Sequence, residues 1–162
     1  MANIKTTITK IRAGGQSGVD RAAMDFAKAR DIPLCGWCPK NGWAEDYPEP
    51  PRLLDDYPEL EPTPSGDPAQ RTKWNMRDTD AILTVMPEKP VASPGTEVGV
   101  DEGKRLAKPM FTATGPADAE KLKKWLSALP VGTELCVGGP RNSEWPEAYA
   151  VTTALLDAVF DA

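Results

Sequence analysis

Two short runs of small residues carry the strongest chemical signal in this 162-residue chain. The first, Gly14-Gly15-Gln16-Ser17-Gly18, follows an apolar stretch and precedes a helical pattern in which Val19, Ala22, Ala23, Phe26 and Ala27 recur on one face. Residues this small let a ligand approach the backbone, and the start of a helix presents unpaired N–H groups with partial positive charge. That combination suits phosphate or another anion. The spacing is not G-x-G-x-x-G, so it is no dinucleotide fingerprint. The second run, Ser93-Pro94-Gly95-Thr96-Glu97, also lies between a buried apolar stretch and a helix start. Ligands of open α/β sheets sit beyond the carboxyl ends of the strands, where two such turns can grip one guest from opposite sides. Glu97 suits either a hydrogen bond to a sugar or ring nitrogen, or simple favourable placement of an acid at a helix start.

Other candidates are single side chains. Arg71, Trp74, Asn75 and Asp78 share one face of a short helix by their three- and four-residue spacing. Arg71 and Asn75 can reach a phosphate or a base edge from there; a solvated face with Trp74 in the core is the plainer alternative. On the ligand reading, Arg71→Ala abolishes binding and leaves the unliganded melting point nearly unchanged. Arg21 and Lys40 are cations near the same strand ends, suited to phosphate or to ordinary surface. Cys35-Gly36-Trp37-Cys38 has redox spacing, but it ends a strand and runs into a proline-rich loop rather than opening a helix. Trp37 and Trp43 either stack on a flat ring or anchor that loop.

The elements that must position these residues alternate regularly. Strands are expected at 8–13, 32–36, 80–86, 110–112 and 135–137. Helices follow the first turn, with Ser17 as N-cap and Asp20 as its capping-box partner. They also run from Asp67-Pro68 to about Arg77, from Pro94 to about Ala107, over 117–129, and from Pro146 to the end. The run Ala81 to Met86 is apolar but for Thr84, as in a strand buried on both faces. Alternation of this kind predicts a parallel sheet of five strands between two helical layers. Residues 39–68 hold eight of the 17 prolines, show no periodicity, and are expected to be a lid, binding loop or linker inside a single domain spanning 1–162.

Composition removes several function classes. The chain has no histidine, which excludes a Ser-His-Asp triad and histidine acid–base chemistry. With three cysteines, a four-ligand Cys/His structural zinc site cannot be assembled, and no structural metal is expected. A net charge of −5 opposes a broad nucleic-acid or anionic-membrane surface. No apolar run reaches the roughly 18 residues that span a bilayer, and residues 1–7 contain no hydrophobic signal segment. The expectation is a cytoplasmic protein with reduced thiols.

The residues also resemble a known family. Gly14 to Ala23, Gly36-Trp37-Cys38-Pro39-Lys40, Ala44-Glu45-Asp46, Gln70 to Ala81 and Gly138-Gly139-Pro140-Arg141 are similar to the "putative molybdenum carrier" protein family, over nearly the whole chain. The resemblance implies a Rossmann-like α/β/α fold, related to the lysine decarboxylase-like phosphoribohydrolases that activate cytokinins. It also implies a homo-oligomer, dimer or tetramer, and binding of molybdenum cofactor, a pterin carrying a phosphate and a molybdenum-oxo centre. By the same resemblance, the first glycine turn, Arg71, Asn75 and the Pro94-Gly95-Thr96 turn line the pocket. The related hydrolases carry Pro-Gly-Gly-x-Gly-Thr-x-x-Glu, whereas here the stretch is shorter and Glu97 adjoins Thr96. Three functions follow for comparison: a non-catalytic cofactor-binding protein, a nucleotide sensor or nucleoside-monophosphate hydrolase, and a scaffold whose glycine turns only connect elements.

Overall fold

The computed structural model describes residues 3–161. In chain order the elements are α1 (Ile4–Thr7), β1 (Ile8–Arg12), α2 (Val19–Ala29), β2 (Leu34–Cys35), β3 (Trp37–Cys38), α3 (Arg52–Asp56), β4 (Glu61–Pro62), α4 (Pro68–Asp78), β5 (Ala81–Val85), α5 (Pro94–Arg105), β6 (Met110–Ala113), α6 (Ala119–Ser127), β7 (Thr133–Gly138) and α7 (Ala148–Phe160). Five strands form one parallel sheet in the order β2-β1-β7-β5-β6. The expected Rossmann-like arrangement is therefore present. The chain builds outward from β1 to β2, crosses to β5, builds outward to β6, and returns to insert β7 between the two halves. The crossovers diverge on either side of β7, so the C-terminal ends of β1, β7 and β5 form the crevice.

Side-chain alternation gives the sheet two unlike faces. Ile11, Leu83, Val85, Leu135 and Val137 pack with Val19, Phe26, Leu122, Leu155 and Leu156 in the main core. On that side α7 contacts both α2 and α6. Ile82 and Cys136 point the other way, against Met76 of α4, and α4 packs on α5 there. Higher up that second face the strands end in small residues, and the layer opens.

Three expectations need correction. The short α1 was not foreseen; its cue is Asn3, whose side chain accepts from the Lys5 amide at 3.0 Å. The expected strand over 32–36 is broken at Gly36, because β2 joins the main sheet while β3 pairs with β4 in a separate ribbon. Gly36 has φ +155°, and a Cβ there would stand 1.8 Å from the Ala13 carbonyl oxygen. Residues 39–68 are not structureless. They fold into a 3-10 turn at Lys40–Gly42, α3 and β4, and bury Leu53 and Leu60 with Ala13, Met24, Cys38 and Ala44 in a second apolar cluster. The segment shows no periodicity because its elements are only two to five residues long and complete their core with Ala13, Met24 and Cys38 from outside it.

The start of α4 is as expected: Asp67 accepts from the Ala69 amide at 3.0 Å, with Pro68 in the first turn. Its other end anchors Trp37, whose indole donates to Asp78 at 2.8 Å and packs edge-on to Trp74, centroids 4.9 Å apart. The Arg77 guanidinium, with help from Trp37 and against partial burial, holds the Asp78 carboxyl down to about 2. Its folded value thus lies below its ordinary 3.8, so its stabilisation is present above about pH 4 and is lost as pH falls toward 2. Asp78→Asn is expected to lower stability at pH 7 and to match the parent near pH 2, measured by urea unfolding at both.

Candidate functional site

A cleft of about 270 Å³ opens over the C-terminal ends of β1, β7 and β5. Gly14, Gly138 and Thr84 lie at the ends of these three strands and form its upper floor, with Ile82 and Cys136 below. Met76 and Thr72 of α4, and Gly99 and Val100 of α5, wall one side. Trp43, from the proline-rich segment, reaches the opening. The space exists because residues without bulk occupy the strand ends, and Gly95 at the start of α5 has nothing within 4 Å of where a side chain would begin.

Of the thirteen candidates read from the sequence, Gly14, Gln16, Arg71, Asn75, Pro94, Gly95 and Thr96 line this cleft. The two turns thus meet at one sheet edge. Six lie elsewhere. Gly15 faces Leu53, Leu60 and Cys38 of the second cluster. Gly18, not Ser17, is the N-cap of α2, and it makes no side-chain cap bond. Ser17 instead donates to the Glu45 carboxylate and accepts from the Asn142 amide. Arg21 is held by Asp46 at 2.6 Å and lies over the Tyr47 and Tyr57 rings. Lys40 is exposed, and Glu97 lines a neighbouring open groove with Thr84, Thr96, Asp101 and Thr112.

The first turn is largely satisfied from within. Gln16 N–H donates to Asp20 at 3.4 Å, Ser17 N–H to the Gln16 side-chain oxygen at 3.0 Å, and Val19 N–H to the Pro140 carbonyl at 3.2 Å. Asp20 is accordingly no capping-box partner of Ser17. It is a buried acid of the cleft, its side chain only 9% exposed, with Arg71 at 3.3 Å. Burial pushes its carboxyl up, and Arg71 opposes the shift. Arg71 also donates to the Gly14 carbonyl at 3.1 Å, while its buried Nε–H has no partner. A Cβ on Gly14 would come within 2.0 Å of the Arg71 guanidinium, so glycine here is what lets the arginine lie across the strand end. Asn75 reaches the cleft, but its amide is spent on both main-chain groups of Trp37, at 2.9 and 3.0 Å.

The second turn differs. Its N-cap, Ser93, makes no cap bond to the helix; its hydroxyl is shared with Thr96 and Glu144 at 2.7 and 2.8 Å. The Gly95 and Thr96 amides of this first turn have no carbonyl within their own helix to bond. Arg141 stands on the same wall beside Glu144. Glu45 ties the opening together by accepting from Ser17 and from both the amide and hydroxyl of Ser143. Burial raises this carboxyl, but those donors and Arg141 hold it below its ordinary value.

Asp20, Arg141 and Glu144 escaped the sequence reading as site residues. Asp20 resembled a capping residue, and the turn after β7 reaches the cleft only through β7's central place in the sheet. Cys35 and Cys38 lie on strands; burial pushes both thiols up to about 11, with Arg12 opposing at Cys35 and Arg71 at Cys38. Neither is an activated thiolate. Cys38 is sealed in the second cluster. Among the described residues no group of three or more Cys, Asp or Glu side chains is arranged to hold a metal ion, and no helix is long and apolar enough to cross a membrane.

Comparison with known proteins adds two matches. The model of the circularly permutated YpsA SLOG family matches residues 11–160. A crystal structure from Syntrophus aciditrophicus SB, described as a "putative molybdenum carrier protein", is 31% identical, with 97% of each chain covered and a TM-score of 0.83. No curated protein matches the chain.

Proposed function

The chain belongs to the circularly permutated YpsA SLOG family, and from that premise we propose that its cleft binds a small phosphorylated ring compound of the molybdenum-cofactor type. The observation that carries the proposal is the meeting of both glycine turns over the ends of β1, β7 and β5. The anionic group belongs at the start of α5, where the Gly95 and Thr96 amides and the helix dipole favour negative charge and Arg141 lies on the same wall. The first turn suits it less, since its amides already serve Asp20 and Gln16. The apolar side chains of Met76, Ile82 and Val100 suit the flat ring between the two ends.

Molybdenum cofactor fits this donor set in two respects. The unpartnered, buried Arg71 Nε–H is a donor without a protein acceptor, and Gly95 leaves the helix start open. The metal centre would then be carried by the pterin, with no side-chain cluster required to hold it. Binding without turnover is the role that agrees with these residues. Glu97, the carboxylate nearest in sequence to the hydrolase motif, faces the neighbouring groove instead.

Thermal shift tests the reading with molybdenum cofactor, inorganic phosphate, molybdate, adenosine 5′-monophosphate and guanosine 5′-monophosphate. A ligand at about 100 times its dissociation constant adds roughly 2.7 kcal/mol, or about 5–11 °C for a domain of this size. Stabilisation by the cofactor is the expected result. Release of free base from a nucleoside monophosphate would replace this reading with an enzyme, and no shift with any anion would leave the glycine turns as connectors.

A further inference from the structure

Asp20 and Gln16 form a matched pair where the start of α2 meets the cleft. Gln16 is 7% exposed and the Asp20 side chain 9%, so what they present is fixed by the fold rather than by solvent. The amides of Ser17 and Glu45 both donate to one side-chain atom of Gln16, at 3.0 and 2.9 Å. Two N–H donors require an acceptor, so that atom is the oxygen, and the NH₂ group faces away from them. Among the described residues nothing accepts from that NH₂. Asp20 receives Gln16 N–H and Arg71 on Oδ2 only. Its other oxygen, Oδ1, lies 3.7 Å from where a Gly138 side chain would begin, over the cleft floor, and no described donor reaches it. Two side chains more than nine-tenths buried thus each keep one polar atom unpaired in the cleft, one a donor and the other an acceptor. Neither atom is sealed from solvent, so water serves both until a guest displaces it, and a guest that cannot replace those hydrogen bonds loses affinity.

We infer that Asp20 and Gln16 recognise a cyclic amide edge, a ring carbonyl beside a ring N–H. The Gln16 NH₂ donates to the carbonyl, and Asp20 Oδ1 accepts from the N–H. The 2-amino-4-oxopyrimidine ring of pterins and guanine has this edge; adenine and 4-aminopteridines present the reverse order at the same place. This deepens the proposed function and rests on it: the anion sits at α5, and the ring edge at α2. It also accounts for an acid in a site meant for an anion.

The test compares ligands that differ only at that edge. Dissociation constants are measured by calorimetry for inosine against adenosine 5′-monophosphate, for pterin against 2,4-diaminopteridine, and for inorganic phosphate. The amide-edged member of each pair is expected to bind at least about 10-fold tighter, because a site built around one hydrogen-bond pattern leaves its own groups unpaired against the other. Asp20→Asn is expected to bring each pair within about 2-fold and leave phosphate affinity unchanged; Gln16→Glu, which keeps the oxygen that Ser17 and Glu45 need, is expected to do the same. Equal affinities in the unmodified protein, or preference for the amino forms, overturn the inference. Phosphate binding without any ring discrimination sinks it alone, whereas failure of every probe, phosphate included, sinks the proposed function as well.

Discussion

Arg71→Ala is expected to lower the stability of the unliganded protein by about 3–5 kcal/mol, the usual cost of leaving one partner of a buried ion pair uncompensated. The Asp20 and Arg71 side chains are 9% and 11% exposed, so water cannot substitute for the guanidinium. For a chain of this length the loss corresponds to roughly 6–20 °C in melting temperature. This reverses what sequence alone suggested, that the arginine is free for a ligand and dispensable without one. The pH dependence follows from Asp20. Burial already raises its carboxyl with Arg71 present, and removal of Arg71 raises it further. A carboxyl with a raised folded value takes up its proton in the folded state first, so acid favours the variant's folded form more than the parent's. The gap between parent and variant is therefore expected to shrink from pH 7 to pH 5. Denaturant unfolding at both values checks it; a gap that widens in acid, or an Arg71→Ala protein as stable as its parent, contradicts the pairing.

Gly36→Ala is expected to be the most damaging single methyl group in the chain, costing about 3 kcal/mol or more. The contact 1.8 Å away is the Ala13 main-chain oxygen, and a carbonyl in a strand-to-turn connection cannot rotate aside like the end of a side chain. The φ of +155° adds a conformation that residues with a Cβ avoid. Ala13 leads directly into the Gly14–Gly18 turn, so relief of the clash displaces the very segment that holds Gly14, Gln16 and Asp20 at the cleft. The variant should show reduced soluble yield and an earlier unfolding midpoint, and whatever folds should bind ligand weakly. Unfolding at the parent's midpoint would mean that the two main chains do not cross so closely.

How much was legible beforehand depended on the range of the interactions involved. The apolar run of β5 was legible because all five of its residues are buried. The strands β1 and β7, which carry Lys10, Arg12 and Glu134, were marked by their apolar residues leading into glycine turns, and both signals are local. The Asp67-Pro68 start of α4 was legible for the same reason: a cap is made within three residues. The two glycine turns could be named as partners, since alternating strands and helices force their loops to one sheet edge. The sequence by itself thus determined the layered parallel fold and the small-residue rim of a cleft.

What each side chain does there only the tertiary structure decided. Ser17 looked like a cap, but Glu45, 28 positions away, claims its hydroxyl. Asn75 looked like a ligand donor, but Trp37 takes its amide. Asp20 looked like a helix-end acid, and became a buried group held by Arg71, 51 positions away. Hydrogen-bonding groups in a crowded interior go to whichever partner the fold brings within about 3 Å, and spacing along the chain records no such distances. The order of β7 between β1 and β5 set them, by placing the last strand at the centre of the sheet.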